Sequence, residues 1–169
     1  AVRVLVLQHH PTSPAGLVGE EAALLGVELE VIDAQHGCAL PARSLDYDGL
    51  LILGGAMSAL DDHVCRHFPP LLDLVRAMAI RNKPVLGLCL GGQLLARAFG
   101  GRVHRHRQGE FGFLPVSPTG QAADDPLLAG TPGPVPVMQW HDDSFDPPEN
   151  SVPLLEGDPC RAQAFRVGR

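Results

Sequence analysis

The sequence predicts a three-layer α/β/α fold with a central, mostly parallel sheet and extra antiparallel edge strands. Before Gly101, short apolar runs alternate with segments of helical spacing. Strands that alternate with helices in this way pair in parallel through right-handed crossovers. After Gly101 the apolar runs are short and lie between turns rich in proline and glycine, which is typical of antiparallel strands.

The strands of the parallel sheet are predicted from continuous aliphatic segments. Residues 2–7 are aliphatic apart from one arginine, the pattern of a strand buried on both faces. Similar runs predict strands at 29–32, 49–53 and 84–88, and the last of these is also expected to be buried. We therefore expect four parallel strands.

Helices are predicted between these strands from apolar side chains at helical spacing. Residues 15–25 form the first helix, which Gly26 is placed to end. Its predicted apolar face consists of Leu17, Val18, Ala22 and Leu25. A second helix is predicted from residue 69 or 70 to 82, behind prolines suited to a first turn, and a third at 90–99.

The remainder of the chain is predicted to add short strands. These are expected at 102–106, 113–117, 135–138 and 152–155, and the proline density between them prevents long helices. No compositional break marks a linker. The 169 residues are therefore predicted to form a single domain.

Composition excludes several classes of protein. A net charge of −6 and a pI near 5.7 argue against a nucleic-acid partner, and the basic stretch at 102–107 is interpreted as a polar turn. No apolar run approaches the ~20 residues of a membrane span, and the first residues lack the layout of a signal peptide. The four cysteines include no C-x-x-C pair, which favours reduced thiols and a cytoplasmic location.

The most informative segment places a cysteine between a strand and a helix. Gly87, Cys89 and Gly91 have the layout of a nucleophile elbow, in which small neighbours allow close packing around a strained central residue. The helix dipole is expected to lower the pKa of Cys89. The Leu90 amide, first in the helix, is a natural oxyanion donor. The alternative is an ordinary buried cysteine in a strand-to-helix connection.

The residues around Cys89 resemble a known signature. The pattern Gly87-x-Cys89-x-Gly91-x-Gln93 is similar to the G-x-C-x-G-x-Q signature of class I (triad-type) glutamine amidotransferases, the group that contains the glutaminase domain of GMP synthetase. Other segments resemble the family's G-G-P-x-S oxyanion loop, its W-H-x-D-x-F segment and its last strand before the catalytic histidine, at 53–58, 139–145 and 163–165. The resemblance implies a flavodoxin-like fold.

The resemblance also implies roles for individual residues. Gly55 would supply the second oxyanion amide beside that of Leu90, and a residue without a Cβ allows close approach of a substrate. The substrate-binding residues that it implies are Gly54, Gln93, His141, Asp142 and Asp143. Gln93 lies one helical turn beyond Cys89, so its side chain can reach the mouth of the site. The family often has proline at position 56 and glycine at position 142, where this chain has alanine and aspartate.

The sequence leaves the proton acceptor of the site open. An amidotransferase needs a histidine to take the proton of its cysteine, and the chain contains eight. In the resembled family this base stands in an H-P-E motif shortly after the Q-A-F strand, with the glutamate orienting the imidazole. Because the sequence starts without methionine and stops at Arg169 before such a motif, we expect that its ends are trimmed and that the chain as given is inactive.

Two other groups of residues carry alternative interpretations. His63 and His67 are spaced to hold a metal on one face of a helix, but a polar loop before the second helix is the preferred interpretation of this segment. Glu110 resembles a recurrent family element near the site, although a surface turn explains it equally well. His141 is not expected to be the base, because the resemblance places its segment over the α-amino and carboxylate end of the substrate.

The predicted function is hydrolysis of the glutamine side-chain amide. Cys89 would form a γ-glutamyl thioester and release ammonia, and a separate synthetase or acceptor-domain partner would receive it. No metal or organic cofactor is implied. Two alternatives remain: a γ-glutamyl peptidase with the same nucleophile, and a non-catalytic glutamine-binding or regulatory relative.

Overall fold

The computed structural model describes residues 1–35 and 39–169. They divide into two compact units, Ala1–Ala98 and Phe99–Arg169, each with its own sheet. Cys38 lies outside the described residues, and the other three cysteines are free thiols. Over the described part of the chain, no helix is long and apolar enough to cross a membrane. That residues 1–169 act as one amidotransferase domain remains a prediction.

The first unit is a four-stranded parallel sheet with three helices, which confirms the predicted fold class. The strands run in the order β2-β1-β3-β4. They are β1 (Arg3–Gln8), β2 (Glu28–Asp33), β3 (Gly49–Ile52) and β4 (Val85–Gly87). The helices are α1 (Gly16–Leu24), α2 (Phe68–Ile80) and α3 (Leu90–Ala98). Each of these elements lies within a few residues of its predicted bounds.

The core of this unit lies on the two middle strands. Leu5, Val6 and Leu7 of β1 are fully buried, as expected for a strand covered on both faces. All four residues of β3 are buried. Helix α2 buries one apolar stripe that includes Leu71, Leu74, Val75 and Met78, the i, i+3, i+4, i+7 spacing of a helix that packs on a sheet.

Burial in this unit departs from the sequence pattern at α1, and the predicted burial of β4 is wrong. The apolar face of α1 is not covered: none of its residues is buried, and Leu17, Val18 and Leu25 are exposed. Helix α1 contacts mainly β2, the edge strand, so the sheet offers it little surface. Strand β4, predicted to be buried, forms the opposite edge, and Leu86 is 42% exposed.

The second unit is an antiparallel sheet in the order β6-β5-β7-β8. Its strands are β5 (Arg102–Pro118), β6 (Val135–Asp146), β7 (Val152–Glu156) and β8 (Ala162–Arg166). The predicted strands at 102–106 and 113–117 are parts of the single strand β5, whose pairing with β6 shifts register between Arg105 and Glu110. The basic stretch therefore lies in a strand, and its interpretation as a polar turn is wrong.

Candidate active site

The turn between β4 and α3 has the geometry predicted for a nucleophile elbow. Cys89 has a φ of +53°, a left-handed conformation that is costly for a residue with a side chain. A Cβ added to Gly91 would overlap the carbonyl oxygen of Ile52, and one added to Gly87 would overlap that of Gly91. Small residues are thus required on both sides of Cys89.

The two predicted oxyanion residues lie beside this turn. A Cβ on Gly54 would stand 3.5 Å from Cys89 Cβ, and one on Gly55 would stand 3.2 Å from Leu90 Cδ2. The Leu90 N–H acts to lower the pKa of the Cys89 thiol by hydrogen bonding. Among the described residues, the Gly55 N–H takes part in none of the backbone hydrogen bonds of turns, loops or helix caps. The fold therefore brings Gly54, Gly55, Cys89 and Leu90 together.

The predicted lowering of the Cys89 pKa is wrong. The thiol is accessible to solvent, yet desolvation by the surrounding protein raises its pKa, and the N–H of Leu90 only partly offsets this. Loss of hydration penalises the thiolate more than the Leu90 N–H stabilises it. Cys89 therefore rests as a thiol at neutral pH and needs a proton acceptor before it can attack.

An arginine of α3 fixes the loop that follows Gly55. Arg97 donates to the carbonyl oxygen of Ala59 at 2.6 Å and to both carboxylate oxygens of Asp62 at 2.7 and 3.0 Å. The same guanidinium lowers the pKa of Asp62 by hydrogen bonding. A bidentate pair of this kind adds geometric restraint as well as energy. The loop after β3 is thus fastened to the helix that begins at Leu90.

Two buried histidines, His9 and His67, pair with each other near Gly55, and no pattern in the sequence predicts this pairing. His9 follows β1 and His67 precedes α2; their Nδ1 and Nε2 atoms are 3.0 Å apart, and both residues are buried. Each packs edge-on against Phe68. A Cβ on Gly55 would lie 3.2 Å from His9 Cβ. His67 therefore does not belong to a polar loop, and that interpretation is wrong for this residue.

The histidine pair is held in its neutral form. Burial, and then the neighbouring His67, lower the pKa of His9 from 6.5 to about 4, and burial lowers that of His67. Among the described residues, His9 Nε2 and His67 Nδ1 have no hydrogen-bond partner. His9 and His67 bond to each other and His10 bonds to Thr12, so none of these three is engaged with Cys89.

The protein is expected to lose stability in mild acid because of this pair. The unfolded state protonates His9 near its ordinary pKa, whereas the folded state resists protonation down to about pH 4. The contribution of His9 to the free energy of unfolding is therefore fully present above the pKa of His9 in the unfolded chain. It falls as the pH drops below that pKa, by about 2 kcal/mol between pH 7 and pH 5. Urea unfolding at the two pH values measures the change.

A pair of substitutions isolates the contribution of these histidines. His9→Phe should reduce the acid dependence, because the buried ring can no longer gain a proton on unfolding. His63→Phe makes the same change at an exposed histidine and should keep the dependence of the unmodified protein. An acid dependence unchanged in His9→Phe would contradict the assignment.

Gln93 lies in α3, one turn after Cys89, and is buried rather than solvated. Its backbone N–H donates to the carbonyl oxygen of Cys89 at 3.0 Å. The helix therefore places Gln93 on the same side of the chain as the thiol. Its contact with a substrate remains a prediction.

The second unit contains the other predicted substrate residues, His141, Asp142 and Asp143, on β6. Asp142 is exposed, whereas the side chain of His141 is mostly covered. His141 Nε2 lies 2.8 Å from Glu110 Oε2, and its Nδ1 lies 2.7 Å from the carbonyl oxygen of Asp143. Both ring nitrogens are thus engaged, which agrees with the expectation that His141 is not the base.

Glu110 is buried, so the surface-turn interpretation of this residue is wrong. It is 3% exposed and accepts hydrogen bonds from the Cys160 N–H and the Gln163 side chain. Ligand atoms of Glu110, His141 and Cys160 lie within 4.8 Å of one another, a donor set that zinc could use. The carboxylate and imidazole are, however, already hydrogen-bonded within the cluster.

Comparison with known proteins agrees with this geometry. Residues 16–160 match the family model "Glutamine amidotransferase class-I". The chain is 33% identical over 144 residues to a protein of Archaeoglobus fulgidus that is named as one subunit of a glutamine-hydrolyzing GMP synthase. That alignment covers 84% of this chain and 69% of the A. fulgidus protein.

Solved structures give the same result. A glutamine amidotransferase of Methylobacillus flagellatus is 32% identical, with a TM-score of 0.91, and the match covers 99% of this chain and 66% of that one. A glutamine amidotransferase of Thermotoga maritima is 27% identical, with a TM-score of 0.89, over 99% of this chain and 72% of that one. The chain thus spans about two thirds of the length of these proteins. It belongs to the class I glutamine amidotransferase family.

Proposed function

We propose that this protein hydrolyses the side-chain amide of glutamine with Cys89 as the nucleophile. The Cys89 sulfur attacks the amide carbon, and the Gly55 and Leu90 amides bind the oxygen that becomes negative. Ammonia then leaves with a proton, and a γ-glutamyl thioester remains on Cys89. Water cleaves the thioester to glutamate and restores the thiol, so both halves of the reaction use the same oxyanion hole.

The single observation that carries this proposal is the geometry at the turn. Cys89 combines a strained backbone with an accessible thiol, and Leu90 follows it as the first residue of α3. Gly54 and Gly55 lie next to Cys89 and Leu90 with no side chains of their own to block an approaching amide. Such an arrangement suits acyl transfer, in which charge develops on the carbonyl oxygen.

The reaction also needs a group that removes the thiol proton and returns it to the leaving ammonia. Burial raises the pKa of Cys89, so this requirement is stronger than for a thiol that is already ionised at neutral pH. His9 and His67 are paired with each other, and His141 is bonded to Glu110. In the class I family this step belongs to the histidine and glutamate of an H-P-E motif.

The substrate contacts are part of the same proposal. We assign Gly54 and Gln93 to the glutamine site beside Cys89, and His141, Asp142 and Asp143 to its α-amino and carboxylate end. The A. fulgidus relative is named as one part of a GMP synthase. By analogy we propose a separate synthetase or acceptor-domain partner that receives the ammonia, in a reducing cytoplasm that keeps Cys89 as a thiol.

The proposal is tested by supplying L-glutamine to the purified full-length protein, rather than to residues 1–169 alone, and measuring glutamate and ammonia together. Equal release of the two products is expected from glutamine, with little or none from asparagine. Release of amines other than ammonia from γ-glutamyl amides, at a higher kcat/KM than from glutamine, would instead identify a γ-glutamyl peptidase. Binding of glutamine without turnover would identify a non-catalytic relative and overturn the proposed hydrolysis.

A further inference from the structure

The paired strands β5 and β6 present an unusual distribution of polar and apolar side chains. Opposite faces of a strand alternate along the chain. The covered face of this pair contains Glu110 and Gln139, both buried. The open face contains Phe111 and Trp140, which are paired across the strands and are 71% and 76% exposed. A buried polar cluster of this kind is stable only if its members satisfy one another.

The hydrogen-bond directions in this cluster follow from two fixed acceptors. The Gln163 Nε2 atom lies 3.1 Å from Glu110 Oε2 and 2.9 Å from the carbonyl oxygen of Cys160, so it must be the donor. The Gln163 Oε1 atom therefore faces Gln139 Nε2, which donates to it at 2.8 Å. This orientation in turn leaves the Gln139 Oε1 atom directed at His141.

His141 is consequently surrounded by acceptors. Its Nδ1 faces the carbonyl oxygen of Asp143 at 2.7 Å. Its Nε2 faces Glu110 Oε2 at 2.8 Å and Gln139 Oε1 at 3.0 Å. A neutral imidazole has one N–H and one lone pair. The Nδ1–H tautomer would direct its lone pair at the oxygens of Glu110 and Gln139, and the Nε2–H tautomer would direct it at the carbonyl oxygen of Asp143. Protonation of both nitrogens removes this conflict.

We propose that His141 and Glu110 form a buried imidazolium–carboxylate pair that positions the His141–Asp143 segment for glutamine. The positioning role rests on the proposed function, whereas the pair itself rests on the hydrogen-bond directions. Glu110 is suited to carry the charge, because its two oxygens accept from His141, from Gln163 and from the Cys160 N–H. A carboxylate with several donors is well compensated when buried.

Cys160, the thiol next to Glu110, adds no charge to the cluster, which is consistent with one negative charge on Glu110 and one positive charge on His141. Burial and then the proximity of Glu110 raise the pKa of Cys160, against a weaker opposing hydrogen bond from Ser144. Cys160 therefore remains a neutral thiol beside the carboxylate. The single negative charge of Glu110 is matched by the single positive charge of His141.

The pair fixes the predicted substrate segment at two points. His141 Nδ1–H holds the carbonyl oxygen of Asp143, and Glu110 ties His141 to Gln163 of β8. On the adjacent strand, a Cβ at Gly109 would lie 2.5 Å from Asp142 Oδ1, so the absence of a side chain there leaves room for that carboxylate. Glu110 and His141 are thus positioning residues for the backbone at 141–143.

The pair is tested directly by nitrogen–proton correlation NMR of the histidine rings in the unmodified protein at neutral pH. His141 is identified by the signal that disappears in His141→Gln. We expect both of its nitrogens to be protonated in the unmodified protein and the neutral Nδ1–H form in Glu110→Gln. A neutral His141 in the unmodified protein would overturn the pair without reference to any variant.

The positioning role is tested by glutamine binding, measured by calorimetry in the Cys89→Ala background. Loss of the charge-assisted hydrogen bond in Glu110→Gln is expected to weaken binding about tenfold, while the rate of Cys89 alkylation by iodoacetamide, measured with Cys89 intact, stays the same. Glu149→Gln makes the same chemical change at an exposed residue and should leave both measurements unchanged.

The other outcomes distinguish failure of the His141–Glu110 proposal from failure of the proposed function. Unchanged glutamine affinity in Glu110→Gln would overturn the positioning role while the NMR result still decides the pair. If the unmodified protein binds no glutamine, the proposed function fails and the positioning role fails with it. Retention of one equivalent of Zn²⁺ that is lost in Cys160→Ser would establish a metal centre and overturn the pair.

Discussion

In the full-length protein, replacing Cys89 with alanine is expected to abolish glutamine hydrolysis, with a loss in kcat of at least roughly 10³-fold. The reason is that the thioester cannot form without the sulfur, and the other two described thiols cannot substitute for it. Cys65 and Cys160 are buried, and burial raises the pKa of both. The measurement is glutamate release, together with mass spectrometry of the acid-quenched thioester on the peptide that contains Cys89.

Cys65→Ser is the matched control for this substitution. It removes a buried thiol of the same unit, and it should retain the turnover of the unmodified protein. Alkylation should follow the same order: a chloroketone analogue of glutamine is expected to modify Cys89 and to leave the two buried cysteines unmodified. Equal turnover in Cys89→Ala and in the unmodified protein would refute the assignment of the nucleophile.

Gly91→Ala is expected to destabilise the first unit by about 3 kcal/mol, the upper part of the usual range for an overpacked site. The added methyl group would overlap the carbonyl oxygen of Ile52, a backbone atom of β3 that cannot rotate away. Helix α3 would have to move off the sheet, and the Leu90 amide would move with it. Urea unfolding measures the loss of stability.

The adjacent glycine provides the control for that experiment. A Cβ at Gly92 would meet the Gly87 carbonyl oxygen at 3.5 Å, an ordinary contact. Because alanine favours helices over glycine by up to about 1 kcal/mol, Gly92→Ala should leave stability unchanged or raise it. If both substitutions destabilise the protein equally, the cause is not the contact with Ile52.

The parts of the fold that the sequence predicted correctly are those set by local pattern. The aliphatic run of β1 and the small residues around Cys89 act through their immediate neighbours, so composition and spacing are sufficient to identify them. Strand β5 is divided in the prediction because Gly109 and Gly112 favour a turn when considered alone. Pairing with β6 resumes at Glu110, just after Gly109, and includes Gly112, so the strand continues where local preference favours a turn.

The missed features depend on contacts between distant parts of the chain. His9 and His67 are separated by 58 residues, and no local signal indicates that both are buried. The exposed face of α1 and the edge position of β4 depend on what lies beside each element, which spacing does not encode. The prediction for the pKa of Cys89 is wrong because the helix dipole can be inferred from the sequence, whereas the degree of desolvation cannot.

The hydrogen bonds from Arg97 to Ala59 and Asp62 have a consequence for which substitutions the loop can accept during evolution. Arg97 and Leu90 belong to the same short helix, so the hydrogen bonds of Arg97 fasten the loop to the helix that supplies the Leu90 amide. We therefore expect substitutions between Gly55 and Ala59, such as Ala56 in place of the family's frequent proline, to leave the attachment of the loop to α3 in place. The Arg97 guanidinium, two helical turns after Leu90, thus limits the structural effect of substitutions in this loop.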